Sequence, residues 1–192
     1  MKMRMLMLGF VFMALAIGQA SAQKINLGLE AGANFSNYIG SGAGSGVNTK
    51  LGFAGGGFLC LNLGNSFALQ PEILYEQKGI QGSSNKTVEL DYIEIPILLK
   101  LSLGAPGFNP GILLGPAFSL NTLANGIDGK PITDISTLDV GLVGGVQVDI
   151  NKFFFSGRYE LGLNDIIPNS YARFGASTQN GTLTFLVGYS FM

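Results

Sequence analysis

The chain has 192 residues, 11 basic and 12 acidic, with no histidine and one cysteine. A net charge of −1 excludes a nucleic-acid surface, which needs concentrated basic charge. The missing histidine removes Ser-His-Asp and Cys-His catalysis and the usual zinc ligand sets, while a lone Cys60, far from the N-terminus, leaves neither an internal disulfide nor a lipoprotein anchor.

The first 22 residues read as a secretory signal peptide. Lys2 and Arg4 precede an apolar run from Met5 to Gly18, and Ala20-Ser21-Ala22 supplies the small residues a signal peptidase requires, so cleavage is expected after Ala22. The mature chain, 23–192, is then one domain with 9 basic against 12 acidic residues. It is apolar overall but holds no further apolar run of helix-spanning length. Its hydrophobicity must lie in alternation, which in a bilayer means a closed barrel.

Eight segments alternate with the strand period of two. The first, 24–36, sets Ile25, Leu27, Leu29, Ala31, Ala33 and Phe35 against Gly28, Glu30, Gly32 and Asn34. A Gly/Ser-rich loop leads to the second, 50–63, with Leu51, Phe53, Leu59, Leu61 and Leu63 on one face and Ala54, Phe58 and Cys60 on the other. After the Gly64-Asn65-Ser66 turn comes the clearest hairpin: Phe67, Leu69, Pro71, Ile73 and Tyr75, then Ile93, Ile95, Ile97, Leu99, Leu101 and Leu103, form one apolar face. Strands follow at 111–121, 137–150, 153–164 and 182–191, with Asn151-Lys152 sufficient to turn the sixth into the seventh. The connections after strands one, three, five and seven run long or polar and the others short, as expected of external loops and periplasmic turns, with both termini periplasmic.

Alternation alone also suits a soluble barrel with an apolar interior. Residue size decides between them: Gly28, Gly32, Gly52, Gly56, Gly115, Gly141, Gly145 and Gly188 crowd the less apolar face, where they fit a narrow lumen, so the large aliphatic and aromatic residues face lipid. Phe67, Phe153, Phe155, Tyr189 and Phe191 then form a periplasmic aromatic girdle. The predicted fold is all-β, an eight-stranded antiparallel up-and-down transmembrane β-barrel.

The inner face carries Glu30, Glu72, Glu76, Lys78, Glu94, Lys100, Asp139, Asp149, Arg158 and Glu160. A carboxylate pair could serve as acid and base, but a lumen of eight strands is about filled by side chains and cations stand nearby, so structural ion pairs are expected. No catalytic residue, cofactor site or metal site is predicted. Arg158 should pair with inward carboxylates. In the hairpin, a turn centred near Lys86 would set Glu72 opposite Lys100 and Lys78 opposite Glu94, and opposite cross-strand charges favour that register. Pro71, Pro96 and Pro116 lack ladder donors and could introduce a bulge that shifts it.

The segments QPEILYEQKG (70–79), DYIEIPILLK (91–100), Gly115-Pro116, DVGLVGGVQVDI (139–150), RYELGLNDI (158–166) and VGYSF (187–191), in this order, resemble the small outer-membrane β-barrel domains of Gram-negative bacteria, often termed porin-like or PorT-like. The resemblance covers the mature chain. It implies an outer-membrane location, lipid as surroundings, and assembly by the barrel-insertion machinery, which reads a terminal strand ending in an aromatic residue, here Tyr189 and Phe191, with Met192 beyond. It implies no reaction. Two roles stay open: a non-enzymatic anchor for external loops in adhesion, envelope integrity or a secretion apparatus, with an envelope protein partner engaged through those loops, and a small-solute porin.

Overall fold

The eight alternating segments form strands β1 (Ile25–Ile39), β2 (Asn48–Asn62), β3 (Phe67–Gln81), β4 (Thr87–Ser102), β5 (Phe108–Asn125), β6 (Leu138–Ile150), β7 (Phe153–Gly162) and β8 (Gln179–Ser190) in a computed structural model. The structure describes residues 25–39, 48–81, 87–105, 107–125, 138–164 and 179–191, so the expected signal peptide lies outside the described residues. Each strand pairs antiparallel with its neighbour and β1 pairs with β8, which closes the barrel as expected.

Following the register once around gives the geometry. Phe153 on β7 leads through Tyr189, Leu29, Gly57, Ile73, the level of Ile95, Phe118 and Val140 to Leu163, ten residues beyond the start. Eight strands with a shear of ten tilt about 41° from the barrel axis, leaving a backbone radius of roughly 8 Å. On β4 the outward apolar face runs from Ile93 to Leu103, which at that tilt spans roughly 25 Å, the height of a membrane barrel's apolar band.

Large apolar side chains cover the outer wall: Leu29, Leu51, Ile73, Leu114, Val146, Phe155 and Phe185 are all exposed. Leu61 keeps this parity but is covered between Ile25 and Leu69, its neighbours across the two seams. At the periplasmic end Phe153 and Tyr189 meet edge to face at 5.1 Å, and Tyr189 and Phe191 at 5.9 Å, forming one side of the aromatic girdle. Asn151 makes the two-residue turn at φ 56°, a left-handed conformation that asparagine tolerates better than most residues.

The hairpin register differs from the one expected. Phe67 pairs with Leu101 and Gln81 with Thr87, which sets Lys78 opposite Leu90 and Glu94 opposite Leu74. The prolines do not shift it. Pairing lapses between Phe58–Glu72 and Leu61–Leu69, between Pro71–Ile97 and Leu74–Glu94, and between Pro96–Ala117 and Leu99–Leu114, with the same register on both sides of each gap. Pro71, Pro96 and Pro116 thus remove ladder bonds from three consecutive seams without a slip. The register shifts lie nearer the external rim, between Thr49 and Ala54 on β2 and where Asp91 and Tyr92 pair with Leu123 and Asn121.

Candidate functional site

Strand alternation aims charged residues of five strands, β1, β3, β4, β6 and β7, into the narrow interior, and because the radius is small they meet across the lumen as well as along the seams. Glu30, Glu72, Glu76, Lys78, Glu94, Lys100, Asp139, Arg158 and Glu160 are all buried, and Asp149 is partly buried near the periplasmic mouth.

Two clusters form around two cations. In the upper one, the Lys78 ammonium lies 2.5 Å from Glu94, 3.2 Å from Glu76 and in contact with Glu160, while Ser119 donates to Glu94 at 3.0 Å. The ring of Tyr92 lies 5.6 Å from the same ammonium, within range of a cation–π contact. In the lower one, Arg158 donates through Nη1 to Glu72 at 2.5 Å and through Nη2 to Glu30 at 3.2 Å. Gln70 donates to the other oxygen of Glu72 at 2.8 Å, and Gln147 donates to Asp149 at 2.7 Å. Asp149 in turn takes Lys100, which closes the chain of polar contacts toward the periplasm. Asp139 stands apart near the external rim and accepts from Asn180 at 3.1 Å.

Lys78 and Glu94 therefore meet diagonally although the register does not oppose them. Glu72 goes to Arg158 on β7, not to Lys100. Gln70 and Gln147, which alternation places on the inner face, complete the network together with Ser119, Asn180 and Tyr92, which the sequence reading does not single out although each lies on its strand's inner parity, the signal that could have found them.

Apolar side chains fill the remaining volume. Leu98, Leu113, Ala117 and Val143 form one cluster beside β4–β6, and Ala54, Leu74 and Leu186 another. Near the periplasmic end the rings of Phe58 and Phe154 meet edge to face at 5.2 Å, with Cys60 and Ala68 against them. Each ring lies where a side chain on the neighbouring strand would stand, Phe58 over Gly28 and Phe154 over Gly188, so only glycine admits the plug at these two positions. Between the two charge clusters a cavity of about 10 Å³ remains, bounded by Glu76, Glu94, Arg158 and Glu160. Toward the periplasm the lumen opens into a polar pocket of about 120 Å³ lined by Gln70, Lys100, Gln147, Asp149 and Cys60.

The carboxylates of Glu76, Glu94 and Glu160 lie within 4.8 Å of one another and are the one group among the described residues spaced to hold a metal ion. Hard divalent cations favour such oxygens. Here the Lys78 ammonium already sits among them, so the arrangement is that of an ion-pair cluster.

A family model described as an outer membrane protein beta-barrel domain matches residues 19–168. Among solved structures, Neisserial surface protein A superposes with a TM-score of 0.54 at 11 % identity, over 86 % of this chain and 97 % of that one. Ail, the attachment invasion locus protein of Yersinia pestis, solved with the heparin analogue sucrose octasulfate, gives a TM-score of 0.50 at 15 % identity, over 88 % of this chain and 99 % of that one. At such identities the likeness is one of fold. No curated protein sequence matches the chain. The match over most of its length, together with a closed eight-stranded barrel that is charged within and apolar without, makes this chain a member of the outer membrane protein β-barrel domain family, seated in the outer membrane.

Proposed function

We propose that the protein is a non-enzymatic anchor: a rigid, filled barrel that holds its external connections above the outer membrane for adhesion, envelope integrity or a secretion apparatus, with contact to an envelope protein partner. The observation that carries this reading is the lumen itself, crossed at two levels by the Lys78 and Arg158 clusters and packed between them down to a cavity of about 10 Å³, room for about one water. The purified protein in planar bilayers is expected to show no steady conductance. A sustained nanosiemens-scale current, roughly that of wide aqueous barrels, would overturn the reading.

One observation favours the small-solute channel as a second reading: the lumen is open for about 120 Å³ at its periplasmic mouth. Transport would need both charge clusters to part. A polyanion of the kind bound by Ail finds little support in the charges outside the barrel, since Lys86, Lys130 and Arg173 in the external connections are balanced by Asp128, Asp134 and Asp165.

On the same reading, the chain would be exported with cleavage after Ala22, and the barrel-insertion machinery would recognise the terminal strand through Tyr189 and Phe191, whose rings stand on the lipid face of β8 and just beyond it. Phe191→Ala is expected to lower the fraction of heat-modifiable, folded barrel recovered from outer membranes. Full recovery at the wild-type rate would remove Phe191 from the signal.

A further inference from the structure

The outer wall has a feature that neither the lumen nor the external connections explain. Two grooves on the lipid face, of about 360 and 420 Å³, meet at the edge-to-face pair of Phe153 and Tyr189, which lines both. The larger lies at the periplasmic rim and includes Lys152; the smaller continues up the wall over Ala31 and Gly55. Ala31 and Gly55 are direct partners in the β1–β2 register, so the floor there is nearly bare backbone, while Phe53 and Val187 stand as walls. The shear makes a path across β7, β8, β1 and β2 climb from the rim toward the membrane centre.

The occupant follows from the charge at the lower end. Lys152 is exposed and is the only basic side chain in the described periplasmic turns, the others being 63–66 and 103–105 with 107. A lysine at the headgroup level, leading into an apolar trough that rises through the inner leaflet, complements a molecule with an anionic head and a hydrocarbon tail. We infer that this groove is a binding site for one inner-leaflet glycerophospholipid, its phosphate on Lys152, its glycerol region against Phe153 and Tyr189, and one acyl chain over Ala31 and Gly55. A second copy of the chain fits less well, because the described periplasmic turns that would lie at the level of Lys152 carry no acidic side chain to meet it.

The test is native mass spectrometry of the full-length protein in mild detergent, titrated with phosphatidylglycerol or phosphatidylethanolamine. The wild type is expected to retain one lipid, with phosphatidylglycerol preferred. Lys152→Ala should weaken retention of phosphatidylglycerol about five-fold, the worth of one lysine at a charged surface. Gly55→Leu should abolish the single high-affinity adduct by filling the trough; its Cβ is tight only against the movable ring of Phe53 on the same strand and meets the Glu30 carbonyl oxygen at 3.4 Å, an ordinary contact, so the barrel should still show heat-modifiable migration. Gly144→Leu, the same change elsewhere on the outer wall where only Leu114 is near, should leave retention unchanged. Equal retention by wild type, Lys152→Ala and Gly55→Leu would overturn the inference, as would equal loss in Gly144→Leu, which would mean unspecific annular lipid. So would a wild-type dimer lost in Gly55→Leu, which would assign the groove to a second copy.

Discussion

Replacing Lys78 by methionine is expected to cost the barrel about 3–5 kcal/mol, the usual penalty for stripping one partner from a buried ion pair. The cause lies in what remains: Glu76, Glu94 and Glu160, all buried and within 4.8 Å of one another, with their shared cation gone. Urea titration of the folded protein, read from the gel migration of unheated samples, measures the loss directly. A further variant separates charge from packing. If Lys78→Met is combined with Glu76→Gln, Glu94→Gln and Glu160→Gln, no uncompensated charge is left and most of the lost stability should return, because removing a whole buried network is often near neutral. A quadruple variant as unstable as the single one would mean that Lys78 acts through its shape and not its charge.

Arg158→Ala is expected to have a comparable effect, again about 3–5 kcal/mol, since one guanidinium serves both Glu72 and Glu30. Here the informative measurement is a double-mutant cycle. Arg158→Ala and Glu72→Gln should show a coupling energy in the range of about 0.5–3 kcal/mol, as expected for residues in direct contact, whereas Arg158→Ala and Glu89→Gln, the latter exposed on the outer face of β4, should be additive. Additivity in the first cycle would show that the Arg158–Glu72 contact contributes nothing of its own. Arg158→Lys should recover only part of the loss, because a single ammonium lacks the fork that reaches two carboxylates at once.

These two clusters mark where sequence reading stops. Alternation located all eight strands, because a barrel wall imposes period two along its whole length. Strand ends were less legible. β5 runs on to Asn125, but the irregular pairing of Tyr92 with Asn121 and Asp91 with Leu123 breaks the alternation there, and the pattern fades before the strand does. Pairing was less legible still. The hairpin register was expected from charges within the hairpin, yet Glu72 finds a partner 86 residues away, and Lys78 takes Glu160 at a separation of 82. In a tube this narrow, opposite walls compete with adjacent strands for every charge, and one hairpin's sequence carries no record of that competition. Phe154 illustrates the same limit, since between Phe153 and Phe155 it looks like more of the lipid-facing surface, although its parity turns it inward onto Gly188.

The tall β3–β4 ribbon governs how the protein meets the outside world. Above Ile93 the outer face changes from aliphatic to polar: Asp91 accepts from the Tyr75 hydroxyl at 2.6 Å, and Glu89 stands exposed beyond it. Pairing nevertheless continues to Gln81 and Thr87. Six residues of tilted strand raise this end roughly 15 Å above the apolar band, higher than a phospholipid headgroup layer is thick. Gln81 and Thr87 are consequently held on a pedestal whose height is set by backbone hydrogen bonds, so substitutions along its outer face can accumulate without lowering that end of the ribbon into the bilayer.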